Sequence, residues 1–129
     1  VCIEDGKLKN MHANCRYAYY LGMKPTGVYS KISVQPGDMS FDDMKAHKGL
    51  YVVNFSDFQM DSLSGFFGGE IRLAYYNDGE KIVPVTGGSV NGTIIDAQKD
   101  FEFSKETQET STFAGPKAIL LKDISVAGK

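Results

Sequence analysis

The stretch FFGGEIRLAYYNDGEKIVPVTGGSV, residues 66–90, decides the fold of this chain. Two runs of strand-forming residues flank an Asn-Asp-Gly turn at residues 77–79, and the second run stops at a glycine pair at residues 87–88. Asp and Gly tolerate the positive φ that tight hairpin turns require, so turn chemistry alone predicts an antiparallel pair. The hairpin indicates the fold and leaves the function open.

The length and the composition predict a single domain over residues 1–129. With 42% hydrophobic and 23% charged residues the composition is that of a globular chain, and 129 residues suffice to bury a core. Fourteen Gly, seven Tyr and eight Phe occur while long helical periodicity is almost absent, which favours strands and turns. We expect an α+β fold, mainly antiparallel β sheet or a partly open barrel, with two or three short helices.

The start of the chain predicts a strand followed by a helix. Residues 1–4 have strand character and end at an Asp-Gly turn. The helix is expected over residues 11–21, with Asn10 as its N-cap and Gly22 as its C-cap glycine.

The rest of the chain predicts short elements on either side of the hairpin. Residues 28–35 alternate like a half-buried strand, whose apolar side is formed by Val28, Ile32 and Val34. Ser40 caps a helix through residue 48, residues 50–55 suit a central strand, and residues 54–65 form an exposed connection. After the hairpin we expect a strand or turn over residues 89–98 leading into a helix near 93–99, a brief strand at 101–103, a polar loop at 105–112, and strands at 118–121 and 124–126.

Charge and hydropathy argue against two classes of partner. The net charge is −2 and Lys and Glu are interspersed, so there is no basic stripe to follow the phosphates of a nucleic acid. No stretch approaches the ~20 apolar residues that span a membrane, and no signal-peptide pattern is present. We expect neither nucleic acid nor membrane as a partner.

The cysteines favour a reducing compartment. Cys2 and Cys15 are isolated and lie in no Cys-x-x-Cys spacing. Buried free thiols are favoured over a disulfide between them, because both lie in apolar segments.

The histidines give no metal motif. Neither His12 nor His47 lies in a helix of the His-Glu-x-x-His type. His12 and Cys15 have a helical i, i+3 spacing that suits two metal ligands or a Cys-His dyad, but no third group accompanies them. We interpret His12 as a surface or partner-facing residue, and we assign no catalytic, cofactor-binding or metal-binding residue.

The remaining polar and aromatic candidates have structural explanations. Asp42 and Asp43 suit the first turn of a helix, and Glu70 suits a solvated strand face. A glycine-rich segment lacks the Lys-Ser/Thr of a phosphate loop and is better explained by bulges or close backbone approach; it contains Gly65, Gly68 and Gly69. Tyrosine side chains offer a recognition surface at low entropy cost, and the candidates are Tyr17, Tyr19, Tyr20, Tyr75 and Tyr76. Alternating burial along a strand explains Tyr75 and Tyr76 equally well.

Taken together, an ordered series of segments resembles the C-terminal part of the TldD/PmbA family, the modulators of DNA gyrase. The series covers nearly the whole chain, which makes it far more specific than any one motif. Residues 1–27 resemble a DG-x-L strand followed by a helix and an LG-x-x-x-TG turn, and residues 33–50 resemble a PGD-x-S-x-D-x-M segment that runs to KGL. Residues 64–69 resemble a TGDFS-x-G turn with Phe66 in place of Asp. The hairpin resembles an ENGEI-x-x-PV-x-G signature, and residues 114–128 resemble closing strands that end in VAG.

The resemblance implies a cytoplasmic bacterial assembly in which TldD-type and TldE (PmbA)-type subunits pair and process unfolded or modified peptides. In the TldD type, a His-Glu-x-x-x-His helix and a cysteine near the C-terminal end supply the metal site. This chain has no such helix, and no Cys follows Cys15.

That departure favours a PmbA/TldE-like subunit of a TldD/TldE-type metalloprotease complex. The chain would be the C-terminal domain of this longer subunit and itself non-catalytic, with zinc only in a TldD-type partner. The expected partners are a TldD-type subunit or further copies of the chain, and an unfolded peptide substrate reached through the complex.

A free-standing peptide- or glycan-binding β module is the alternative, because one fold serves many functions. The parent reading frame distinguishes the two: a few hundred residues upstream of Val1 favour the subunit, and a start codon immediately before it favours the module. Regulation of gyrase, which the family's older name suggests, finds no support in the charge pattern.

Overall fold

The structure, a computed structural model, describes residues 2–27 and 29–128. The strands among these residues are β1 (Ile3–Glu4), β2 (Lys7–Leu8), β3 (Ile32–Ser33), β4 (Gly49–Met60), β5 (Phe66–Asn77), β6 (Ile82–Val85), β7 (Ser89–Thr93), β8 (Glu102–Phe103), β9 (Thr107–Glu109), β10 (Phe113–Pro116), β11 (Ile119–Leu120) and β12 (Ser125–Ala127). The helices are α1 (Cys15–Leu21), α2 (Phe41–Ala46) and α3 (Ile94–Ala97).

The predicted hairpin is present. β5 and β6 pair antiparallel, and the N–H of Asp78 donates to the Lys81 carbonyl at 3.2 Å across the turn. The Asp78 carboxylate also accepts from the N–H groups of Glu80 and Lys81, each at 2.9 Å, while Gly79 has a φ of +99°. The turn therefore uses an Asp side chain and a glycine in the way that the sequence indicates.

β5 is the centre of the largest sheet, whose order is β12-β7-β5-β4 with β6 also paired to β5. β6 and β7 lie end to end on the same side of β5, because residues 74–77 pair with β6 and residues 66–70 with β7. The smaller sheets among the described residues are β1-β2, β3-β10-β9 and β11-β8. These strands do not close into a barrel, so the α+β prediction of mainly antiparallel sheet is confirmed in its open-sheet form.

The glycine pair between β6 and β7 bends the sheet without interrupting its pairing. The Gly87 N–H donates to the Ile71 carbonyl at 2.9 Å, and the Ile71 N–H donates to the Gly88 carbonyl at 3.0 Å. Two residues therefore oppose one, which is a β-bulge. Both glycines have positive φ, +79° and +77°, which other residues adopt only under strain.

Our prediction for residues 50–65 is wrong in extent and in position. The strand that we placed at residues 50–55 continues to Met60, and it lies at the edge of the sheet instead of the centre. Register shifts occur between Val52 and Phe55 and again before Asp57. An edge strand with bulges accepts the Asn, Ser and Asp residues that looked like a loop, since their side chains reach water.

Helix α1 begins about one turn later than predicted. Asn14 is its N-cap instead of Asn10, and the Asn14 side chain accepts a hydrogen bond from the Tyr17 N–H. The residue before Asn14 is hydrogen-bonded outside the helix. The Ala13 N–H donates to the Thr26 hydroxyl at 2.9 Å, and the Thr26 N–H donates to the Ala13 carbonyl at 3.0 Å. The helix ends as predicted at Gly22, which is left-handed with a φ of +61°.

The other two helices form where they were predicted, although α2 stops at Ala46. The Ser40 hydroxyl accepts from the Asp43 N–H at 3.1 Å and begins α2. The Thr93 hydroxyl accepts from the Asp96 N–H at 3.3 Å and begins α3 directly after β7.

Two further predictions are wrong. The strand expected at residues 28–35 shrinks to β3, in which Ile32 is 61% exposed, and Val28 lies outside the described residues. The loop expected at residues 105–112 contains β9, which pairs with β10. β10 was missed because it includes Gly115 and Pro116, residue types that strands disfavour. The strands β1, β8, β11 and β12 fall where strands were predicted, with Val1 outside the described residues.

Strands of the large sheet contribute a buried hydrophobic cluster. Its buried members are Ile71, Ala74 and Val90. Half-buried side chains pack against them, namely Leu50, Val52, Phe55, Val85 and Ile124. Elsewhere Ser104 is fully buried, and its hydroxyl donates to the Glu106 carbonyl at 2.8 Å and accepts from the Ala118 N–H at 3.0 Å.

Candidate functional site

His12 and Cys15 do not form the helical pair that their spacing suggested. His12 precedes α1, and its ring stacks on Tyr29 with centroids 4.3 Å apart. Tyr29 also places its hydroxyl 3.1 Å from the Cys2 Sγ, an interaction that raises the pKa of the tyrosine. Both cysteines are free, as predicted, but neither is buried: Cys2 is half-buried and Cys15 is exposed. Within the described ranges, no three His, Cys, Asp or Glu side chains come together as a metal site.

The carboxylates have the structural roles that the sequence indicated. Asp42 and Asp43 occupy the first turn of α2. The hydrogen bond and charge of Lys45, whose Nζ lies 2.7 Å from the Asp42 carboxylate, hold the pKa of Asp42 below its ordinary value. Glu70 is exposed on β5 and accepts from the Ser56 hydroxyl at 3.2 Å.

The glycines that resembled part of a phosphate loop serve packing instead. Gly65 has a φ of +73°, and a Cβ on it would lie 2.8 Å from the Ile94 side chain. A Cβ on Gly69 would lie 2.8 Å from a ring carbon of Phe55 and 2.8 Å from a ring carbon of Phe58. The absent side chains therefore make room for neighbours, as the close-approach interpretation predicted.

The chain exposes more surface than its mass predicts. Its accessible area is 9927 Å². A folded monomer of 14.2 kDa exposes roughly 6,800 Å², so the excess is about 3,100 Å². One side of a standard protein interface is about 800 Å². The excess therefore leaves room for more than one large contact surface.

Two exposed apolar patches account for part of this surface. The first, the α1 patch, consists of side chains that are 56 to 82% exposed, namely Tyr17, Tyr19, Tyr20 and Leu21. The second, the tip patch, surrounds the β4–β5 turn and consists of Phe58, Met60, Leu63 and Phe66, of which Leu63 is 97% exposed. Tyrosine and other large apolar residues concentrate in the cores of protein interfaces. In the part of the chain that the structure describes, no helix combines the length and hydropathy needed to cross a membrane.

An apolar notch of about 390 Å³ opens beside the Gly87-Gly88 bulge, where β12 stops pairing. Its side-chain lining includes Leu50, Ile71, Tyr76, Val85 and Val126, and backbone from residues 86–88 and 127–128 completes it. None of these residues carries a charge. Tyr76 is thus 41% exposed into a concave surface, whereas its neighbour Tyr75 stacks on Tyr51 with centroids 6.4 Å apart.

A second cleft of about 390 Å³ lies beside α3 and is polar. Its charged residues are largely paired with one another or with neighbours: the Lys99 ammonium lies 2.8 Å from Asp96, and the Lys122 ammonium lies 3.3 Å from Glu102. These exposed pairs form an ordinary solvated surface.

Sequence patterns missed the notch as a site. Its residues come from four strands and were read as strand residues only. The one available signal was the glycine pair after a valine-rich strand, which marks a bend in a sheet.

Comparison with known proteins gives the family of this chain. A family model described as PmbA/TldA metallopeptidase C-terminal domain matches residues 1–128. A protein named "Metalloprotease" from Methanothermobacter thermautotrophicus is 26% identical over 117 residues, which cover 79% of this chain and 26% of that protein. The chain thus spans about a quarter of the length of this relative.

Proposed function

The chain belongs to the PmbA/TldA metallopeptidase family through its C-terminal domain, and on that premise we propose that it is the C-terminal domain of a PmbA/TldE-like subunit. This subunit would work in a cytoplasmic peptide-processing complex and support a catalytic partner without supplying metal ligands. The partner would be a TldD-type subunit that carries the zinc.

The observation that carries this proposal is the exposed apolar surface. The α1 patch and the tip patch belong to a chain whose accessible area exceeds the expectation for its mass by about 3,100 Å². Leaving such patches in water is unfavourable by about 25 cal/mol per Å² of apolar area. Contact with the rest of its own subunit and with a partner subunit would relieve this cost.

The cysteine positions support the assignment to the non-catalytic type. The resemblance places a metal-binding cysteine near the C-terminal end of TldD-type chains. Here Cys2 and Cys15 lie at the opposite end of the sequence. Cys15 is exposed on α1, next to the residues of the α1 patch, where it suits a contact surface.

Binding to a TldD-type subunit tests the proposal directly. We expect the two proteins to elute together in size-exclusion chromatography with mass detection. Tyr19→Asp and Leu63→Asp should each weaken the complex at least tenfold, because a buried, unpaired carboxylate opposes association. Ile119→Asp, at an apolar position that is 47% exposed outside both patches, is the matched control and should leave binding unchanged.

Two results would overturn the proposal. The first is a chain that associates neither with a TldD-type subunit nor with itself. The second is a purified chain that binds one equivalent of zinc by elemental analysis and hydrolyses an unstructured peptide alone.

A further inference from the structure

We propose that the Asp5-Gly6 turn is a site of self-modification, at which Asp5 converts to isoaspartate through a cyclic imide. The turn joins β1 to β2 and lies outside the α1 patch and the tip patch. The inference is therefore independent of the proposed function, and its test needs no partner subunit. A carboxyl methyltransferase that recognises isoaspartate and uses S-adenosylmethionine is the class of enzyme that would act on the modified turn.

The reaction joins an aspartate side chain to the backbone nitrogen that follows it. The Gly6 nitrogen attacks the side-chain carboxyl carbon of Asp5, a C–N bond forms, and the carboxyl C–O bond breaks with loss of a water molecule. Water then opens the ring. Cleavage at the side-chain carbonyl restores aspartate, whereas cleavage at the backbone carbonyl gives isoaspartate, in which the chain runs through the side chain. The water lost in the first step is regained in the second, so no other reactant is needed.

The sequence has three Asx-Gly pairs that carry these reacting groups, namely Asp5-Gly6, Asp78-Gly79 and Asn91-Gly92. Glycine favours the attack because it has no Cβ beside the nitrogen. By sequence alone the two Asp-Gly pairs are equivalent, and the Asn-Gly pair reacts with loss of ammonia in place of water. The fold distinguishes them, because ring closure requires the side chain and the following nitrogen to approach each other freely.

Both reacting groups of the second pair are held by hydrogen bonds. The Gly79 N–H donates to the Asn77 side-chain oxygen at 2.9 Å. The Asp78 carboxylate accepts from the N–H groups of Lys81 and Glu80, each at 2.9 Å. These bonds also hold the pKa of Asp78 below its ordinary value, which keeps the carboxyl in the ionised form that is poor at ring closure. Ring closure there must first break these bonds, in a hairpin that belongs to the five-stranded sheet.

The third pair lies in a strand that has a neighbour on each side. Asn91 in β7 is paired with Gly68 of β5 and with Ser125 of β12. Gly92 packs so closely against the Phe67 ring that a Cβ on it would lie 2.9 Å from a ring carbon. Pairing and packing fix the backbone here, so Asn91 is protected while the sheet is folded.

The first pair is free of these restraints. Among the described residues, the Asp5 carboxylate has no hydrogen-bond or ion-pair partner and the Gly6 N–H has no acceptor. Asp5 is exposed and has a φ of +49°, a left-handed conformation that is strained in a residue with a Cβ. β1 and β2 have two residues each and, in the part of the chain that the structure describes, pair only with each other. So small a pair is marginally stable, and opening it relieves the strain at Asp5.

The modification changes the hairpin that contains it. Isoaspartate adds the Cβ to the backbone of a turn of only two residues, which no longer fits the pairing of Glu4 with Lys7. The hydrogen bonds that close the hairpin depend on this pairing: the N–H groups of Lys9 and Asn10 donate to the Cys2 carbonyl at 2.7 and 3.2 Å. Isoaspartate at Asp5 therefore opens the β1–β2 hairpin.

Peptide mapping of an aged sample tests the inference. The purified chain is kept at neutral pH and body temperature, and its peptides are analysed by mass spectrometry with electron-transfer fragmentation, which distinguishes isoaspartate from aspartate. We expect isoaspartate to form at Asp5 at least tenfold faster than at Asp78. In concentrated urea the two rates should agree within about threefold, because neither pair is then restrained by the fold. Hydrogen–deuterium exchange of the aged chain should show faster exchange of the Lys9 and Asn10 amides in the isoaspartyl form.

Asp5→Glu and Asp78→Glu are a matched pair of variants. Each keeps the negative charge, but the longer side chain must close a larger ring, so neither glutamate isomerises at a comparable rate. The probe is methyl transfer from labelled S-adenosylmethionine by an isoaspartate-specific methyltransferase. Asp5→Glu should lower methyl incorporation into the aged chain at least fivefold, and Asp78→Glu should change it less than twofold. Circular dichroism checks that both variants are folded.

Three outcomes would overturn the site: isoaspartate that forms as fast at Asp78 as at Asp5 in the folded chain, a tenfold difference that persists in urea, or methyl incorporation that Asp5→Glu leaves unchanged. The second of these would assign the difference to the neighbouring residues in the sequence instead of the fold. Unchanged exchange of the Lys9 and Asn10 amides in the isoaspartyl form would overturn the opening of the hairpin.

Discussion

Substituting alanine at each glycine of the bulge separates backbone strain from steric contact. Gly87 and Gly88 have nearly the same φ, +79° and +77°. A Cβ on Gly87 would meet nothing within 4 Å, whereas a Cβ on Gly88 would lie 2.4 Å from the carbonyl oxygen of Ala127 in β12. Both variants therefore carry the cost of a left-handed alanine, and only Gly88→Ala also carries the cost of a steric clash with β12.

The shared cost is the left-handed conformation, which is worth about 1–2 kcal/mol for an alanine. Gly87→Ala should lower the free energy of unfolding by that amount. Gly88→Ala must also move β12, because the opposing atom belongs to backbone that cannot rotate away. Losing ladder hydrogen bonds, each worth ~0.5–1.5 kcal/mol, adds about 2 kcal/mol, so the total is about 3–4 kcal/mol. For a domain of 129 residues, roughly 4 °C in Tm accompanies each kcal/mol.

Urea unfolding followed by circular dichroism measures both free energies. Hydrogen–deuterium exchange then reports on β12: its amides should lose protection in Gly88→Ala and keep it in Gly87→Ala. Equal destabilisation by the two substitutions, or a protected β12 in Gly88→Ala, would refute the close contact between the bulge and β12.

Three further predictions concern packing, a buried hydroxyl and pH. Gly69→Ala should destabilise the chain by about 1–2 kcal/mol in urea unfolding, because its Cβ would crowd the rings of Phe55 and Phe58 at 2.8 Å. Ser104→Ala should cost about 1–3 kcal/mol in the same measurement, since it leaves the N–H of Ala118 without its acceptor. The N–H groups that donate to the Asp78 carboxylate hold its pKa below the ordinary 3.8, so the stabilisation that it contributes should be present above pH 4 and disappear as the pH falls towards the lowered pKa.

Each of these predictions has a matched control. Gly68→Ala should be mild, because its Cβ would keep 3.4 Å from the nearest atom, and equal effects at Gly68 and Gly69 would contradict the crowding argument. Ser33→Ala removes an exposed hydroxyl and should change stability little. Asp78→Asn keeps an acceptor oxygen but does not titrate, so the stability difference from the parent chain should shrink below pH 4. A difference that stays constant down to pH 2 would show that the carboxylate is not involved.

The sequence correctly predicted the elements whose formation depends on residues close together in the chain. The Asn-Asp-Gly turn, the Ser40 cap and the Gly22 C-cap each depend on a few neighbouring residues, and each is present. The start of α1 was misplaced because the decisive contacts join Ala13 to Thr26 across the helix. No pattern within the helix itself reports such a contact.

Long-range pairing explains the other errors. β4 looked like a short central strand because its apolar run ends near Phe55, yet pairing with β5 extends it through polar residues to Met60. The notch was out of reach for the same reason, since it depends on where β12 stops beside β7. Composition does not encode that register, although the glycine pair marked the bend where it occurs.

The two sides of the large sheet differ in the regularity of their backbone pairing. β4 has register shifts between Val52 and Asp57, and bulges disturb the regular spacing that edge pairing requires. β6 is regular along its four residues and lacks only the N–H of Pro84. A single missing donor leaves the neighbouring backbone groups in line, whereas repeated bulges displace them. Regular backbone pairing is therefore favoured along β6 and opposed along β4.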